Sequence, residues 1–278
     1  MLDKTRIYTP FHTPSIKRVL ERIPLVRRIL YGGSSKQHPF DRIYQIDTSG
    51  YVPVSKMKID SSLAKKISPY VASQPSIIRR ALSALPNVKD YTFVDLGCGK
   101  GRATIVAAEF QFSEVIGVEI DPNLAQIAHS NASLYSMWLK STKASDNFYP
   151  SSRMIKIVEA DATKFRPQGN NVVFFCYHAF GDELMSEFVE NLNEDLGKTI
   201  EHCFFVYYNP VGGYHFDASR KWTRWFADNI PYDPSEIGFG PDINDSVVIW
   251  QSVHNALPDK HTNRNRKVIA EGMKAVID

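Results

Sequence analysis

A glycine-rich octet at residues 94–101, Val-Asp-Leu-Gly-Cys-Gly-Lys-Gly, constrains the fold of this chain more than any other feature. It follows an apolar, aromatic run and precedes a segment with helical composition, Arg102 to Phe110. Glycines between a strand and a helix allow the backbone to press against a ligand. Eighteen residues after the last glycine, Glu119 ends a second apolar run. This combination predicts an α/β sheet that holds the ribose of a nucleoside cofactor.

The acid inside the octet indicates which nucleoside is bound. The glycines at 97, 99 and 101 are spaced G-x-G-x-G, whereas the dinucleotide fingerprint is G-x-G-x-x-G. Asp95 is expected at the mouth of the strand, where a carboxylate would repel a pyrophosphate. S-adenosylmethionine has no phosphate and carries an ammonium and a sulfonium, so the same acid favours it. A P-loop is excluded because the chain has no G-x-x-x-x-G-K-[ST] sequence.

The rest of the chain alternates between strand and helix patterns. Strands are predicted at 91–96, 114–119, 154–159, 171–177 and 202–208, with a late strand around 247–250. Helices are predicted at 75–85, 101–110, 122–137, 162–166, 182–196 and 217–229. This alternation predicts an α/β fold with a doubly wound, mostly parallel sheet and a ligand at the carboxyl ends of its strands.

The octet and Glu119 together resemble the first two motifs of class I S-adenosylmethionine-dependent methyltransferases. Residues 158–162, Val-Glu-Ala-Asp-Ala, are similar to the segment of that family that contacts adenine. Residues 172–178, Val-Val-Phe-Phe-Cys-Tyr-His, are similar to the fourth strand where it meets the methyl donor. The resemblance implies a seven-stranded Rossmann-like sheet whose last strand runs antiparallel between its neighbours. It also implies S-adenosylmethionine as the cofactor.

Cofactor contacts follow from this resemblance and from position. The resemblance implies that the glycines let the backbone approach the cofactor and that Asp95 faces the cationic end of the cofactor. It also implies that Glu119 accepts hydrogen bonds from both ribose hydroxyls and that Asp161 accepts one from the adenine amino group. An ordinary strand-end acid at Glu119 and a helix N-cap at Asp161 remain alternatives. The complete predicted set is Tyr70, Gln74, Asp95, Gly97, Cys98, Gly99, Gly101, Glu119, Ile120, Asp161 and Ala162. Lys100 and Arg102 are expected to be solvated turn residues.

Three residues are candidates for the transfer step. Tyr177 and His178 follow the fourth strand, where a side chain lies beside the transferring methyl. Tyr177 offers a ring face or a hydroxyl, and His178 offers a base that titrates near neutral pH. Asn209 follows the fifth strand and is a candidate substrate ligand. Simple packing of the first two residues and an Asn-Pro turn at the third are the alternatives.

A narrower resemblance concerns the methyl acceptor. Residues 93–101, Gly117-Val-Glu119 and Ala179-Phe-Gly-Asp182 are similar to non-SET protein lysine methyltransferases, the telomeric-silencing-disruptor family and its relatives. Histone-directed members carry Asn-Asn-Phe before Ala-Phe-Gly, where this chain has Cys176-Tyr177-His178. The whole sequence looks more like uncharacterised bacterial class I methyltransferases. Protein lysine, a small molecule and a saccharide therefore all remain open as acceptors, through O- or N-methylation.

Charge is distributed unevenly along the 278 residues. Residues 1–68 contain 13 Lys and Arg and 5 Asp and Glu, a net +8, although the whole chain carries only +3. We expect a basic N-terminal extension at 1–68, a methyltransferase domain at 69–256 and a tail at 257–278. A helix over 15–23 is predicted in the extension. Its basic surface could meet an anionic partner or simply be solvated.

Three cysteines and scattered histidines favour a reduced, cytoplasmic protein without a disulfide framework or a zinc site. No run of 18 apolar residues predicts a transmembrane helix, and no secretory signal is visible. Oligomeric state is left open. Competing functions are a non-catalytic S-adenosylmethionine-binding regulatory module, a nucleic-acid methyltransferase, and an NAD or nucleotide-sugar enzyme, which Asp95 disfavours.

Overall fold

The computed structural model describes residues 36–142, 155–240, 242–258, 261–268 and 270. The predicted helix at 15–23 lies outside these residues. The strands are β1 (Tyr51–Val52), β2 (Tyr70–Val71), β3 (Thr92–Leu96), β4 (Glu114–Glu119), β5 (Ile155–Glu159), β6 (Asn171–Tyr177), β7 (His202–Tyr208), β8 (Trp222–Pro231) and β9 (Asn244–Ser252). The helices are α1 (Pro39–Tyr44), α2 (Pro75–Ser83), α3 (Arg102–Ala107), α4 (Pro122–Ser141), α5 (Asp182–Asp195) and α6 (Tyr214–Asp217).

Seven of the strands form one sheet in the order β5-β4-β3-β6-β7-β9-β8. Strands β3 to β7 are paired in parallel, whereas β9 is antiparallel to both β7 and β8. The predicted doubly wound, mostly parallel α/β sheet is confirmed, and so is the antiparallel strand between its neighbours. Strand order reverses beside β3, because β4 lies on one side of it and β6 on the other. Ligands of such sheets bind at this switch point.

Helices cover both faces of the sheet, and strand alternation supplies a core to each face. Phe93 of β3 packs in the cluster that contains residues of α2, α3 and α4. Its neighbour Val94 packs in the second cluster, with residues of α5 and α6. Because apolar side chains on both faces are buried, the central strands are fixed in register and their carboxyl ends are aligned.

Two predicted helices are wrong. Most of 217–229 belongs to β8, where a bulge shifts the register between Arg224 and Phe226. The bulge buries the consecutive aromatic residues Trp225 and Phe226, so the period-2 pattern of a strand is lost. At 162–166 the chain makes only a turn. Asp161 accepts a hydrogen bond from the backbone N–H of Thr163, which is the geometry of an Asx turn.

Residues 36–74 pack against the sheet domain. α1 begins at Pro39, and its N-terminus is capped by the ring of His38, which accepts from the Phe40 N–H at 3.1 Å. The hairpin of β1 and β2 then leads to α2. None of the helices in the described part of the chain combines enough length with enough apolarity for a bilayer crossing.

Candidate functional site

A cavity opens at the carboxyl ends of β3, β4, β5 and β6. Eleven of the predicted site residues lie in its walls: Tyr70, Asp95, Gly97, Cys98, Gly99, Glu119, Ile120, Asp161, Ala162, Tyr177 and His178. Residues from the segment before α2, including Met57, Leu63 and Ile67, complete the walls. The fold therefore brings residues from four strand ends into one space.

Gly101, Gln74 and Asn209 lie outside these walls. Gly101 is the N-cap residue of α3 and packs against Ala128 of α4. The Gln74 side-chain oxygen lies 3.1 Å from a ring nitrogen of His38. The carbonyl oxygen of Asn209 accepts from the Val211 N–H at 2.8 Å, so this residue begins a turn.

The glycine turn is shaped by backbone hydrogen bonds and close approach. The N–H groups of Gly97 and Cys98 both donate to the carbonyl of Val118, each at 2.9 Å. Gly99 has φ +56°, and a Cβ at this position would overlap the ring of Tyr70. A side chain at Gly99 is therefore excluded both by the backbone conformation and by the neighbouring ring.

Glu119 is held by three backbone donors. One carboxylate oxygen accepts from Gly99 N–H at 2.7 Å, and the other accepts from Ile120 and Asp121 N–H, each at 2.9 Å. Burial raises the pKa of Glu119, and these hydrogen bonds counteract that rise. A carboxylate offers about four acceptor sites, so Glu119 keeps acceptor capacity toward a hydroxyl in the cavity.

Asp95 is buried at the end of β3, where one of its carboxylate oxygens accepts from the Thr104 hydroxyl at 2.8 Å. Burial, together with the charge of Glu119, raises its pKa to about 7. A low-dielectric carboxylate of this kind gains strongly from a cation placed beside it. The sequence motif locates Asp95, but its partner Thr104 was not identified from the sequence.

Asp161 follows β5 and is partly exposed. Burial alone would raise its pKa, but hydrogen bonds from Thr163 and Lys164 lower it overall. The side chain is therefore an ionised acceptor at neutral pH. Cys98 and Cys176 are buried and free, and burial raises the pKa of both thiols. Because the thiolate is the nucleophilic form, neither cysteine is a suitable nucleophile.

Tyr177 and His178 end β6 at the opposite side of the cavity from Glu119. His178 has φ +45°, and Asn209, at the end of the adjacent β7, has φ +50°. Positive φ is uncommon for residues other than glycine, and such strain is concentrated at functional sites. Of these two residues, His178 lines the cavity and Asn209 does not.

The segment before α2 covers the cavity and is attached to the loop after β6. Gly181 N–H donates to the carbonyl of Lys66 at 2.7 Å, and Ser68 N–H donates to the carbonyl of Ala179 at 3.2 Å. A Cβ at Gly181 would lie 2.8 Å from the Lys66 carbonyl oxygen. This close backbone contact requires glycine at position 181.

The expectation that Lys100 and Arg102 are solvated is wrong. Both are buried, and the Lys100 ammonium lies 2.9 Å from the Asp47 carboxylate. Arg102 donates to the Thr48 hydroxyl at 2.6 Å. Their partners come from the segment before β1, which no local pattern around the octet could have indicated.

Residues 65–200 match the sequence family described as histone methylation protein DOT1. This match supports a class I S-adenosylmethionine-dependent methyltransferase family for the chain. A protein-lysine N-methyltransferase from Saccharolobus islandicus (strain REY15A) is 32% identical to it over 82 residues. That alignment covers 29% of this chain and 51% of the other, so the chain spans about half the length of the curated relative it matches.

Two solved structures are similar to this chain at lower sequence identity. The RNA methyltransferase from Salinibacter ruber, in complex with S-adenosyl-L-homocysteine, is 17% identical with a TM-score of 0.40, covering 68% of this chain and 98% of the other. TrmN from Thermus thermophilus is 13% identical with a TM-score of 0.44, covering 64% of this chain and 49% of the other. Neither likeness is close enough to bear on the methyl acceptor.

The walls of the cavity suit S-adenosylmethionine as the cofactor. Asp95 would offer a buried carboxylate to its cationic end, and Glu119 would offer acceptor capacity to the ribose. Asp161 would offer an ionised acceptor to the adenine amino group. Arg102 also lines the cavity, but its guanidinium lies 3.5 Å from the Asp41 carboxylate and donates to the Thr48 hydroxyl, so it is already engaged by protein groups.

Proposed function

We propose that this protein transfers the methyl group of S-adenosylmethionine to a nitrogen or oxygen nucleophile, with the ε-amino group of a protein lysine as the favoured acceptor. One observation carries the proposal. A single cavity joins the acids at the ends of β3 and β4 to Tyr177 and His178 at the end of β6. Donor-binding and acceptor-facing groups therefore share one space.

Transfer of a methyl group from a sulfonium is an in-line displacement, so alignment of the nucleophile is the main task of the protein. The apolar side chains of Leu63 and Ile67 line the cavity and exclude water. Tyr177 forms a wall for the reacting groups. A lysine ammonium must lose a proton before it attacks, and His178 is the candidate base for that proton.

Two comparisons favour lysine over a small molecule or saccharide. The matched family is described by histone methylation, and the relative from Saccharolobus islandicus is named as a protein-lysine N-methyltransferase. Tyr177 and His178 line the cavity at positions where the histone-directed members carry other residues, so the acceptor class needs its own test. Methyl labelling of a native lysate distinguishes lysine from the other acceptor classes.

Cofactor binding is tested first by calorimetry with S-adenosylmethionine, S-adenosylhomocysteine and NAD. Glu119→Ala is expected to weaken both adenosyl ligands by about 30-fold, equivalent to about 2 kcal/mol, because it removes a charged hydrogen-bond acceptor. Glu159→Ala is the matched control. Glu159 is paired with Glu119 on the neighbouring strand, is exposed and lies outside the cavity walls, so affinity is expected to stay within twofold.

Activity is tested by incubating a native lysate with the protein and S-adenosylmethionine tritiated in the methyl group. Label that is found in the protein fraction, and that is recovered as methyllysine after hydrolysis of the protein, supports the whole proposal. Label found only in a low-mass or saccharide fraction would show that the acceptor is a small molecule or a saccharide and not a protein lysine. Binding without label in any fraction would favour the regulatory module instead. Binding of NAD in place of the adenosyl ligands would overturn the cofactor assignment.

A further inference from the structure

A row of aromatic rings continues from the cavity wall into the sheet. Tyr177 is paired with Tyr208 of β7 in parallel register. Their ring centroids lie 4.2 Å apart, with the ring planes inclined at 36°. Tyr208 itself is completely buried. The orientation of the Tyr177 ring at the cavity is therefore set by a buried ring behind it.

The buried tyrosine is fixed in turn by a carboxylate from the β8–β9 hairpin. The hydroxyl of Tyr208 donates to one oxygen of Asp245 at 2.7 Å, and the hydroxyl of Tyr232 donates to the same oxygen at 2.5 Å. Burial and the Asp245 charge raise the pKa of both phenols, so both remain donors at neutral pH. Two charge-assisted hydrogen bonds thus lock the ring behind Tyr177.

Fold stability gives little reason for this arrangement. A partly buried carboxylate loses hydration, and apolar side chains of similar volume often stabilise a core at least as well. The two hydrogen bonds from the hydroxyls of Tyr208 and Tyr232 to Asp245 instead hold the rings in a single orientation. That orientation matters where a reacting group is aligned, because a displacement of about 1 Å can reduce a rate by about 100-fold.

We propose that Tyr208 and Asp245 are positioning residues for methyl transfer, which hold the ring of Tyr177 in the orientation that aligns the acceptor. This inference rests on the proposed function, because it assigns Tyr177 to the acceptor side of the same cavity. It predicts a loss in the rate of transfer without a loss of cofactor affinity, since neither Tyr208 nor Asp245 lies in the cavity walls.

The test uses Tyr208→Phe and Asp245→Asn in the full chain. Tyr208→Phe keeps the ring contact and removes only the hydroxyl. Tyr44→Phe is the matched control, because the hydroxyl of the buried Tyr44 also donates to a carboxylate, that of Glu109 at 3.2 Å, and lies outside the cavity walls. S-adenosylhomocysteine affinity is measured by calorimetry. Transfer is measured as the initial rate of tritium incorporation across a dilution series of the lysate, at saturating cofactor.

We expect the rate at saturating lysate to fall roughly 10-fold in each of the two variants, with the cofactor Kd within twofold of the wild-type value. The double variant should fall no further than either single variant, since both changes release the same ring. Asp245→Glu, which keeps the charge, should recover part of the rate. Tyr44→Phe should match the wild-type protein in both measurements.

The outcomes separate this inference from the proposed function. A wild-type rate in Tyr208→Phe and Asp245→Asn overturns the positioning role and leaves the methyltransferase assignment intact. Loss of cofactor affinity in parallel with rate also overturns it, because the residues would then act through the fold. Absence of label with the wild-type protein overturns the proposed function and this inference together. If Tyr208→Phe does not fold, the Asp245 variants decide the question.

Discussion

The guanidinium of Arg102 lies 3.5 Å from the carboxylate of Asp41, and the two side chains are only 3% and 1% exposed. The same carboxylate accepts from the backbone N–H of Thr48 at 2.9 Å and from that of Ser49 at 2.7 Å. Arg102 begins α3, directly after the glycine turn. This buried ion pair therefore attaches α1 to the start of α3, beside the glycine turn.

Removal of one member of the pair should be strongly destabilising. Arg102→Met leaves the Asp41 charge buried without its cation, and we expect a loss of about 3 to 5 kcal/mol in the free energy of unfolding. Urea denaturation of the variant and the wild-type protein measures this loss in unfolding free energy. Lys66→Met is the control, because the Lys66–Glu183 pair is exposed and its loss should cost less than about 1 kcal/mol. Equal losses in the two variants would contradict the structural role of Arg102.

Gly99→Ala should damage the cofactor turn in two ways. The residue has φ +56°, and its new Cβ would collide with the Tyr70 ring. Backbone strain of about 1 to 2 kcal/mol and overpacking of about 1 to 3 kcal/mol should add, giving a loss of about 2 to 5 kcal/mol in unfolding free energy. Binding of S-adenosylhomocysteine should fall with it, as calorimetry would detect.

Gly238→Ala is the matched control for that experiment. Gly238 has φ +86° but no atom within 4 Å of the position that a Cβ would take. We therefore expect only the backbone strain of about 1 to 2 kcal/mol, with cofactor affinity unchanged. If Gly99→Ala were no more destabilising than Gly238→Ala, close approach of Tyr70 to the turn would be excluded.

Short-range patterns explain which parts of the fold were predictable. The strands β3 to β7 are apolar runs of ordinary length between turn signals, and α5 carries a regular apolar stripe, so each could be located from its own residues. β8 was mistaken for a helix because its bulge buries adjacent aromatic side chains, and the bulge is set by pairing with β9. The register in which two distant segments pair cannot be predicted from the residues of either segment alone.

The same distinction applies to the site. The octet and Glu119 lie near one another in sequence, so their motif could locate the cofactor turn. The Asp41 carboxylate and the Asp245 carboxylate reach the site through tertiary packing from either side of the domain. Each is a single acid, Asp41 in α1 and Asp245 in β9, with no motif around it that indicates a role. The sequence therefore predicts the donor half of the site, whereas the residues that support it become visible only in the fold.

The raised pKa of Asp95 predicts how the protein responds to pH. An acid with a pKa of about 7, in place of its usual 3.8, keeps its proton in the folded state over a range where the unfolded chain has lost it. The folded state then binds more protons than the unfolded state. The contribution of Asp95 to stability is therefore greatest below about pH 4 and declines as the pH rises toward 7.

Cofactor affinity should change in the opposite direction. Asp95 must lose its proton before it can hold a cation, and the α-amino group of the ligand stays protonated below about pH 7.7. As the pH falls from 7 to 5.5, we expect the affinity for S-adenosylhomocysteine to approach a tenfold loss per pH unit. Asp95→Asn should bind more weakly and with little pH dependence, because it lacks the Asp95 carboxyl and keeps every other titrating group.

Calorimetry in buffers of different ionisation enthalpy should detect proton release at pH 6 with the wild-type protein and none with Asp95→Asn. Equal pH dependence in the two proteins would show that another group titrates.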